Sequence, residues 1–280
     1  MRNKFFVNFV LCCCSIIFVI TFLETIIRLR GDSPWKTIET DLREPITYEY
    51  NEKLGWKPKE GTYIFPPWSA KGKYTKLTVL KDGNRYNGEL STYDGEVLVI
   101  GGSATQGWAV DDTETFSWFL QKKLNNLKVK NYGVGAYGTY QSLLLLENIM
   151  ENNNVTQYVI YGFIKHHEVR NIAHGSWLHL LTKYSRRGHL ELPYASLDKN
   201  NKLVKNPPAQ YINLPFRKQS AFVAKLEKKI MKMKSVLRDH NKTKITQEIL
   251  LEMKKISEFN ESKFVFVFLH SNPEILNLYS

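Results

Sequence analysis

The sequence predicts an α/β fold with a parallel sheet between two layers of helices, preceded by an apolar helix at the amino terminus. Short apolar runs rich in branched residues recur along the chain, as is typical of buried parallel strands. Helical patterns separate these runs, and such alternation favours a parallel sheet with right-handed crossovers. We expect strands at 97–101, 127–132, 157–163 and 264–269.

The amino-terminal segment Phe5–Ile27 is apolar and long enough to cross a bilayer, which takes about 20 residues. Arg2 and Lys4 precede it, so a cleaved signal peptide is the alternative. No small-x-small cleavage site follows, which favours an uncleaved anchor. Leu11 before Cys12 disfavours a lipoprotein signal. The charges on the two sides of this segment do not settle its orientation in the membrane. We expect the bulk of the chain to lie outside the cytoplasm, because a short amino tail is the easier end to retain inside.

Composition narrows the class of protein. The chain has 280 residues, 43% hydrophobic and 24% charged, which is typical of a globular domain. The three cysteines are consecutive, Cys12 to Cys14, so the rest of the chain can form no disulfide and no cysteine metal site. The net charge of +12 is concentrated in a lysine-rich stretch, 217–255, where apolar residues are interleaved. That pattern predicts solvated helix faces, and without a nucleic-acid motif we expect no nucleic-acid partner.

We divide the chain into an anchor at 1–30, a linker with a β-rich lead-in at 31–95, and an α/β domain at 96–280. Within the lead-in, 31–50 is predicted to be a polar linker, and 54–58 and 65–68 to be loops. Tyr74–Leu80 alternates as a strand, and the turn 81–84 then predicts a hairpin that covers the sheet edge.

The stretch after the first sheet strand is the leading candidate for chemistry. Val97–Ile100 runs into Gly101-Gly102-Ser103, which puts a serine at the carboxyl end of a central strand, where open α/β sheets bind ligands. The alternative is a plain turn in which Ser103 only caps the next segment. Asp112 or Thr113 is expected to cap the following helix, whose apolar face would comprise Phe116, Phe119, Leu120 and Leu124.

Two further loops follow the next strands. Gly133, Gly135 and Gly138 predict a tight loop before a leucine-rich helix at 140–150. The strand at 157–163 runs into His166-His167-Glu168. With His174, these histidines could bind a metal, although their spacing fits no specific zinc pattern; surface histidines are the other alternative. The segment 173–216 is predicted to be an irregular, aromatic-rich insertion that shapes a cleft, followed by helices at 219–238 and 246–259.

These motifs resemble those of the SGNH/GDSL hydrolase family over roughly residues 54–269. The family's first motif is usually a strand followed by Gly-Asp-Ser; here Gly102 stands where Asp is usual, and Ser103 keeps the nucleophile position. The lead-in also resembles that of membrane-anchored members, in Leu54–Pro58 and Gly83-Asn84-Arg85. The resemblance implies a three-layer, flavodoxin-like α/β sheet.

It also implies an oxyanion hole. Counted from Asn131, the loop residue that lends its backbone N–H falls on Ala136, with Gly135 as the fallback. His167 occupies the position of the family's Asn, and an imidazole N–H can donate the same hydrogen bond if the tautomer is correct. Glu168 occupies the position of the neighbouring Asp.

The family's late Asp-x-x-His motif, which supplies the catalytic base, is missing from this sequence. None of the seven histidines has Asp three residues before it, and His270 is the only late one. The chain is therefore expected to be a truncated or inactive family member, or to use another base. We expect an ester hydrolase or O-acyl (acetyl) esterase or transferase that acts through Ser103 on an ester or acylated glycan. The alternative is a non-catalytic module that binds a glycan or envelope component. No cofactor or metal is expected.

Overall fold

The computed structural model describes residues 2–38, 44–67, 71–151, 155–184 and 190–269. Its centre is a parallel sheet of four strands, which are β5 (Gly95–Gly101), β6 (Leu127–Gly133), β7 (Thr156–Phe163) and β10 (Lys263–Phe268). Across the sheet their order is β10-β7-β5-β6. The predicted parallel sheet is confirmed, and each strand lies within two residues of its expected bounds.

Helices cover both faces of this sheet, because side chains alternate between the faces along each strand. On one face, Val97 and Val99 pack against Leu120 of the helix Phe116–Lys123 and against Leu124, the residue that follows this helix. On the other, Leu98 and Ile100 pack in a cluster with residues of α4 and α8. The helices are α1 (Arg2–Leu29), α2 (Ser103–Gln106), α3 (Phe116–Lys123), α4 (Thr139–Met150), α5 (His167–Asn171), α6 (Gly175–Tyr184), α7 (Ala221–His240) and α8 (Lys242–Phe259).

Three antiparallel strand pairs surround the sheet. They are β1 (Tyr48–Asn51) with β2 (Gly55–Pro58), β3 (Gly61–Phe65) with β4 (Thr75–Val79), and β8 (Glu191–Leu197) with β9 (Leu203–Gln210). Arg85 bridges Val79 on one side and Asn131 of β6 on the other, so the lead-in covers the β6 edge. The prediction of a strand at 74–80 is confirmed. The prediction of a loop at 54–58 is wrong from Gly55 on, because Gly55–Pro58 forms β2.

The insertion 173–216 is more regular than predicted. It contains α6 and the hairpin β8–β9, and these elements supply Trp177, Leu178 and Leu192 to a second apolar cluster. Trp35 of the predicted polar linker is buried in the same cluster, at 5% exposure. The linker prediction is therefore wrong for this segment, which packs against the domain. Two residues named in the sequence analysis lie outside the described residues: Trp68, the last residue of the loop predicted at 65–68, and His270, the late histidine.

The helix after Ser103 begins differently from the prediction. Asp111 caps a short 3-10 turn, Asp112–Glu114, and Thr115 caps α3, so neither Asp112 nor Thr113 is a cap residue.

The buried face of α3 also differs from the prediction. Phe116 and Phe119 are 39% and 54% exposed, while Ser117 and Gln121 are buried. The polar pair is buried because it satisfies polar groups inside the fold: Ser117 donates to Asn87, and the Gln121 amide donates to the carbonyl of Leu127.

At the amino terminus, Lys4–Leu29 of α1 is long and apolar enough to cross a membrane. A signal sequence has the same properties.

Candidate functional site at the carboxyl ends of three strands

Ser103 stands at the carboxyl end of the central strand β5, as the first residue of α2. Two glycines let α2 pack directly on the sheet: a Cβ at Gly101 would lie 2.2 Å from Thr105 Oγ1, and one at Gly133 would lie 2.3 Å from the Gln106 backbone nitrogen. Ser103 itself is partly exposed. Among the described residues, its hydroxyl has no hydrogen-bond partner.

The loop after β6 brings Ala136 to the same edge of the sheet. Ala136 has a φ of +69°, in the left-handed region that residues other than glycine adopt uncommonly. It is partly exposed, and its backbone N–H has no partner within the described ranges. The N–H of Gly135, by contrast, donates to Tyr48 Oη over 3.2 Å. Of the two predicted oxyanion donors, Ala136 alone therefore has its N–H unengaged.

Residues of the lead-in hold this loop in place. Trp56 Nε1 donates to the Gly135 carbonyl over 3.1 Å, and Tyr137 Oη donates to the Trp56 carbonyl. Tyr48 Oη donates to Gln106 Oε1 over 2.8 Å while it accepts from Gly135. The glycine loop is thus connected to α2 through a tyrosine that lies more than 80 residues earlier in the chain.

His167 begins α5, after β7, and is only 1% exposed. Its Nδ1 lies 2.8 Å from Tyr161 Oη, whereas its Nε2 has no partner among the described residues. Nε2 faces Gly102, where an added Cβ would lie only 2.6 Å from it. The structure thus brings the residue before Ser103 into contact with His167, and the imidazole fills the space that a side chain at 102 would need.

The hydrogen bond with Tyr161 indicates which nitrogen of His167 carries the proton. Among the described residues, His167 Nδ1 is the one acceptor that is hydrogen-bonded to the Tyr161 hydroxyl. Tyr161 then donates to His167 Nδ1. This assignment leaves the proton on Nε2, so the imidazole presents an N–H towards Gly102.

Residues of α5 and α6 pack beside the loop after β6. Arg170 Nη1 donates to the Tyr137 carbonyl over 2.8 Å, and its guanidinium stacks on Trp177 at 4.5 Å. His166 contacts the same tryptophan ring edge-on, at 5.6 Å. His174 Nδ1 is hydrogen-bonded to Ser176. The three histidines considered as metal ligands have separate environments, and no group of metal-binding side chains occurs in the described part of the chain.

Comparisons with known proteins give solved structures only. No protein-family model matches the chain, and no curated protein matches it. One matching solved structure is AlinE4, an SGNH-hydrolase family esterase, with 12% identity, a TM-score of 0.26, and coverage of 64% of this chain and 76% of that one. A serine-to-alanine mutant of that esterase matches with 15% identity and a TM-score of 0.28, covering 69% and 84%.

Several residues at the site are not evident from sequence patterns. Tyr161 is within a buried strand, where an aromatic residue normally indicates packing, and nothing marks its hydroxyl as the partner of His167. The role of Arg170 is equally hidden, because the sequence gives no sign that its guanidinium donates a hydrogen bond to the Tyr137 carbonyl. Glu168, at the position of the family's Asp, is buried and forms an ion pair with Lys165 at 3.0 Å.

The buried imidazole predicts a specific pH dependence. Burial first, and then the charge of Arg170, hold the pKa of His167 well below its usual value of 6.5. The folded state therefore binds fewer protons than the unfolded chain, so stability should fall as the pH drops below about 6.5. Between about pH 7.5 and about pH 5, this one group is expected to cost up to about 2 kcal/mol. Urea unfolding of the full chain and of His167→Asn measures it: the variant should lose less stability, and equal losses would contradict the assignment.

Proposed function

We propose that the protein is a serine ester hydrolase or O-acyl transferase in which Ser103 attacks the carbonyl carbon of an ester. One observation carries this proposal. At the carboxyl ends of β5, β6 and β7, the Ser103 hydroxyl, the Ala136 N–H and His167 Nε2 all have no hydrogen-bond partner among the described residues. An unpaired polar group in the protein interior is costly, and His167 Nε2 is such a group; its occurrence beside the unpaired, partly exposed groups of Ser103 and Ala136 on neighbouring loops favours a site built for a ligand.

The chemistry assigned to each group follows from its charge and direction. When Ser103 Oγ adds to the carbonyl carbon, the carbonyl oxygen becomes an oxyanion. The Ala136 N–H and the His167 Nε2–H would donate to that oxygen, and fixed donors stabilise such an anion without reorganisation. Its lowered pKa keeps His167 neutral. The imidazole therefore acts as a hydrogen-bond donor with no net charge.

The proton of Ser103 must pass to a base; we propose that it passes to hydroxide from the solvent, which becomes water, so that acylation and the later hydrolysis of the acyl-serine are both slow. In the described residues, no histidine or carboxylate is hydrogen-bonded to Ser103. Serine hydrolases that lose a triad member retain about 10³–10⁴-fold acceleration over water, from the oxyanion hole and binding alone. We therefore propose weak turnover, in which an ester with a good leaving group acylates Ser103 faster than water removes the acyl group.

The test is acylation of the full chain, purified in detergent, by p-nitrophenyl acetate. We expect acetyl-Ser103 in the peptide mass spectrum, with turnover barely above the background of free ester. Ser103→Ala should lose the acetyl group. Ser176→Ala, which removes a serine on α6 that is hydrogen-bonded to His174, is the matched control and should keep it. Equal total acetylation of the native chain and both variants would refute the assignment of Ser103 as the nucleophile.

The second candidate is a non-catalytic module that binds a glycan or cell-envelope component. The absence of a base bonded to Ser103 among the described residues favours it. The same experiment separates the two: a binding module would show no Ser103 acylation, and its binding of an acetylated glycan would survive Ser103→Ala.

We propose an acylated glycan or another ester as the substrate and no nucleic-acid partner. We also propose that α1 stays uncleaved as a single-pass anchor, with the domain outside the cytoplasm.

A further inference from the structure

The amino-terminal helix makes specific polar contacts with the domain through Glu24, the one acidic residue in its apolar stretch. Glu24 accepts from the backbone N–H groups of Ala221 and Phe222, each over 2.9 Å, and from the Ser220 hydroxyl over 2.8 Å. These N–H groups belong to the first turn of α7, where helix donors have no partner within the helix. A carboxylate there also interacts favourably with the helix dipole. Glu24 therefore caps a helix of the domain.

Neighbouring contacts reinforce this joint. Arg28 Nε donates to Glu24 over 2.6 Å, and Arg28 Nη2 donates to the Gln219 carbonyl over 2.9 Å. Asp32, just after the helix, forms an ion pair with Lys225 at 2.6 Å. All of these contacts lie between the end of α1 and the start of α7.

The segment that follows α1 packs equally closely. Trp35 is buried, its backbone N–H donates to the Arg217 carbonyl over 2.8 Å, and the Arg217 guanidinium stacks on its ring at 4.1 Å. His179 and Tyr211 contact the same ring at 4.9 and 5.4 Å. The connection between helix and domain is therefore a packed joint rather than a flexible tether.

The part of α1 that leaves the domain has the length of a membrane core. Residues 5–22 are exposed apart from Cys13, and partial burial begins at Leu23 and Glu24. At 1.5 Å per residue these exposed turns span about 27 Å, close to the hydrocarbon thickness of about 30 Å. Glu24 would then lie at the level of the lipid headgroups.

Residues beside Glu24 suit that level. Phe216 is 72% exposed, and Leu29 is 82% exposed. The Phe216 carbonyl accepts from Gln219, whose own carbonyl binds Arg28, so Phe216 lies next to the end of α1. Exposed aromatic residues and cations are typical of the membrane–water interface, and Arg28, Arg30 and Lys218 are exposed here.

We propose that α1 is a permanent structural part of the protein, which Glu24 and Trp35 lock to the domain, and that the exposed residues Phe216, Lys218 and Gln219 rest on the headgroups of the bilayer that α1 spans. This inference rests on the proposed membrane span and is independent of the chemistry of Ser103. A cleaved signal peptide is incompatible with it, because cleavage would remove the cap of α7.

Two measurements on the full chain in phospholipid nanodiscs test the joint. Intact mass should show that the mature protein retains α1; a mature chain that begins after Leu29 would overturn the proposal. Glu24→Gln should lower the Tm of the domain by roughly 5 °C, through loss of charge-assisted hydrogen bonds. Glu52→Gln, at an exposed residue of the lead-in, should leave the Tm unchanged. Equal Tm values for the two variants would also overturn it.

Quenching by brominated lipids tests the membrane contact. Phe216→Trp should add fluorescence that these lipids quench. Phe119→Trp, on the exposed side of α3 across the sheet from α8, is the matched control. Stronger quenching at 216 than at 119 supports the proposal, and equal or weaker quenching at 216 refutes it. Neither experiment depends on acylation of Ser103, so each can fail while the esterase proposal stands.

Discussion

Replacing Arg85 by methionine is expected to lower the free energy of unfolding by about 3–5 kcal/mol, the usual cost of breaking a buried ion pair from one side. Arg85 is 2% exposed. Its Nε donates to Asp112 over 3.0 Å, and its other nitrogens donate to the carbonyls of Gln106, Gly107, Lys76 and Val110. The variant would leave Asp112 charged, buried and without its cation.

The loss should extend to the site, because the Gln106 carbonyl belongs to α2, and those of Gly107 and Val110 belong to the chain that follows it. Urea unfolding measures the stability, and acetylation by p-nitrophenyl acetate measures the state of Ser103. Lys205→Met is the matched control: Lys205 pairs with Glu147 at 2.6 Å, but the Lys205 side chain is half exposed, so its loss should cost less than about 1 kcal/mol. Adding Asp112→Asn to Arg85→Met should restore part of the stability, and a cost for Arg85→Met as small as that of the control would contradict this role.

Gly102→Ala is expected to cost about 1–3 kcal/mol by overpacking, although alanine normally fits such a backbone. Gly102 has φ −89° and ψ −157°, an extended conformation open to any residue, so backbone strain does not enter. The cost arises because the new Cβ would lie 2.6 Å from His167 Nε2 and 3.2 Å from the Tyr137 carbonyl. The imidazole cannot move away, because it is buried against Phe163 and bonded to Tyr161.

A double-mutant cycle tests this explanation. In the background of His167→Asn, whose shorter side chain vacates the position of Nε2, Gly102→Ala should cost at least about 1 kcal/mol less than in the native chain. His174→Asn, at a histidine that faces Ser176, is the matched control background and should give no relief. Additive effects of Gly102→Ala and His167→Asn would show that the two positions are not in contact.

This contact explains why one part of the site could be predicted from sequence and another could not. The strands are readable because each is a continuous apolar run, and Ser103 and His167 follow two of them directly. The direction of the imidazole depends on Tyr161 and on packing across the sheet, which no local pattern records. Gly102 and His167 are the two positions at which the sequence differs most clearly from the SGNH/GDSL motifs that it resembles, and the sequence alone gives no sign that they are connected. In space, His167 fills the volume that a side chain at 102 would occupy.

Helix caps and buried charges were also beyond local patterns. Asp111, Asp112 and Thr113 are all acceptable cap residues, and the choice among them depends on Arg85, which takes Asp112 into the interior and leaves Asp111 to cap. An arginine after a Gly-Asn turn normally predicts an exposed residue. Its burial depends on carbonyls from a loop more than 20 residues later, and the cost of burying a charge is offset only when all of those partners are assembled.

Under the proposed membrane span and esterase activity, the packed joint at Trp35 also limits which substrates Ser103 can reach. If residues 32–38 were a flexible linker, seven residues would let the domain wander by roughly 15 Å around the end of the helix. Trp35 is instead buried and stacked beneath Arg217. The sheet edge that carries Ser103 would then be held at one height above the bilayer and at one tilt. A reactive group carried on a lipid or polymer would have to come to that height, so the length of its carrier, as much as its chemistry, would decide which esters the protein meets.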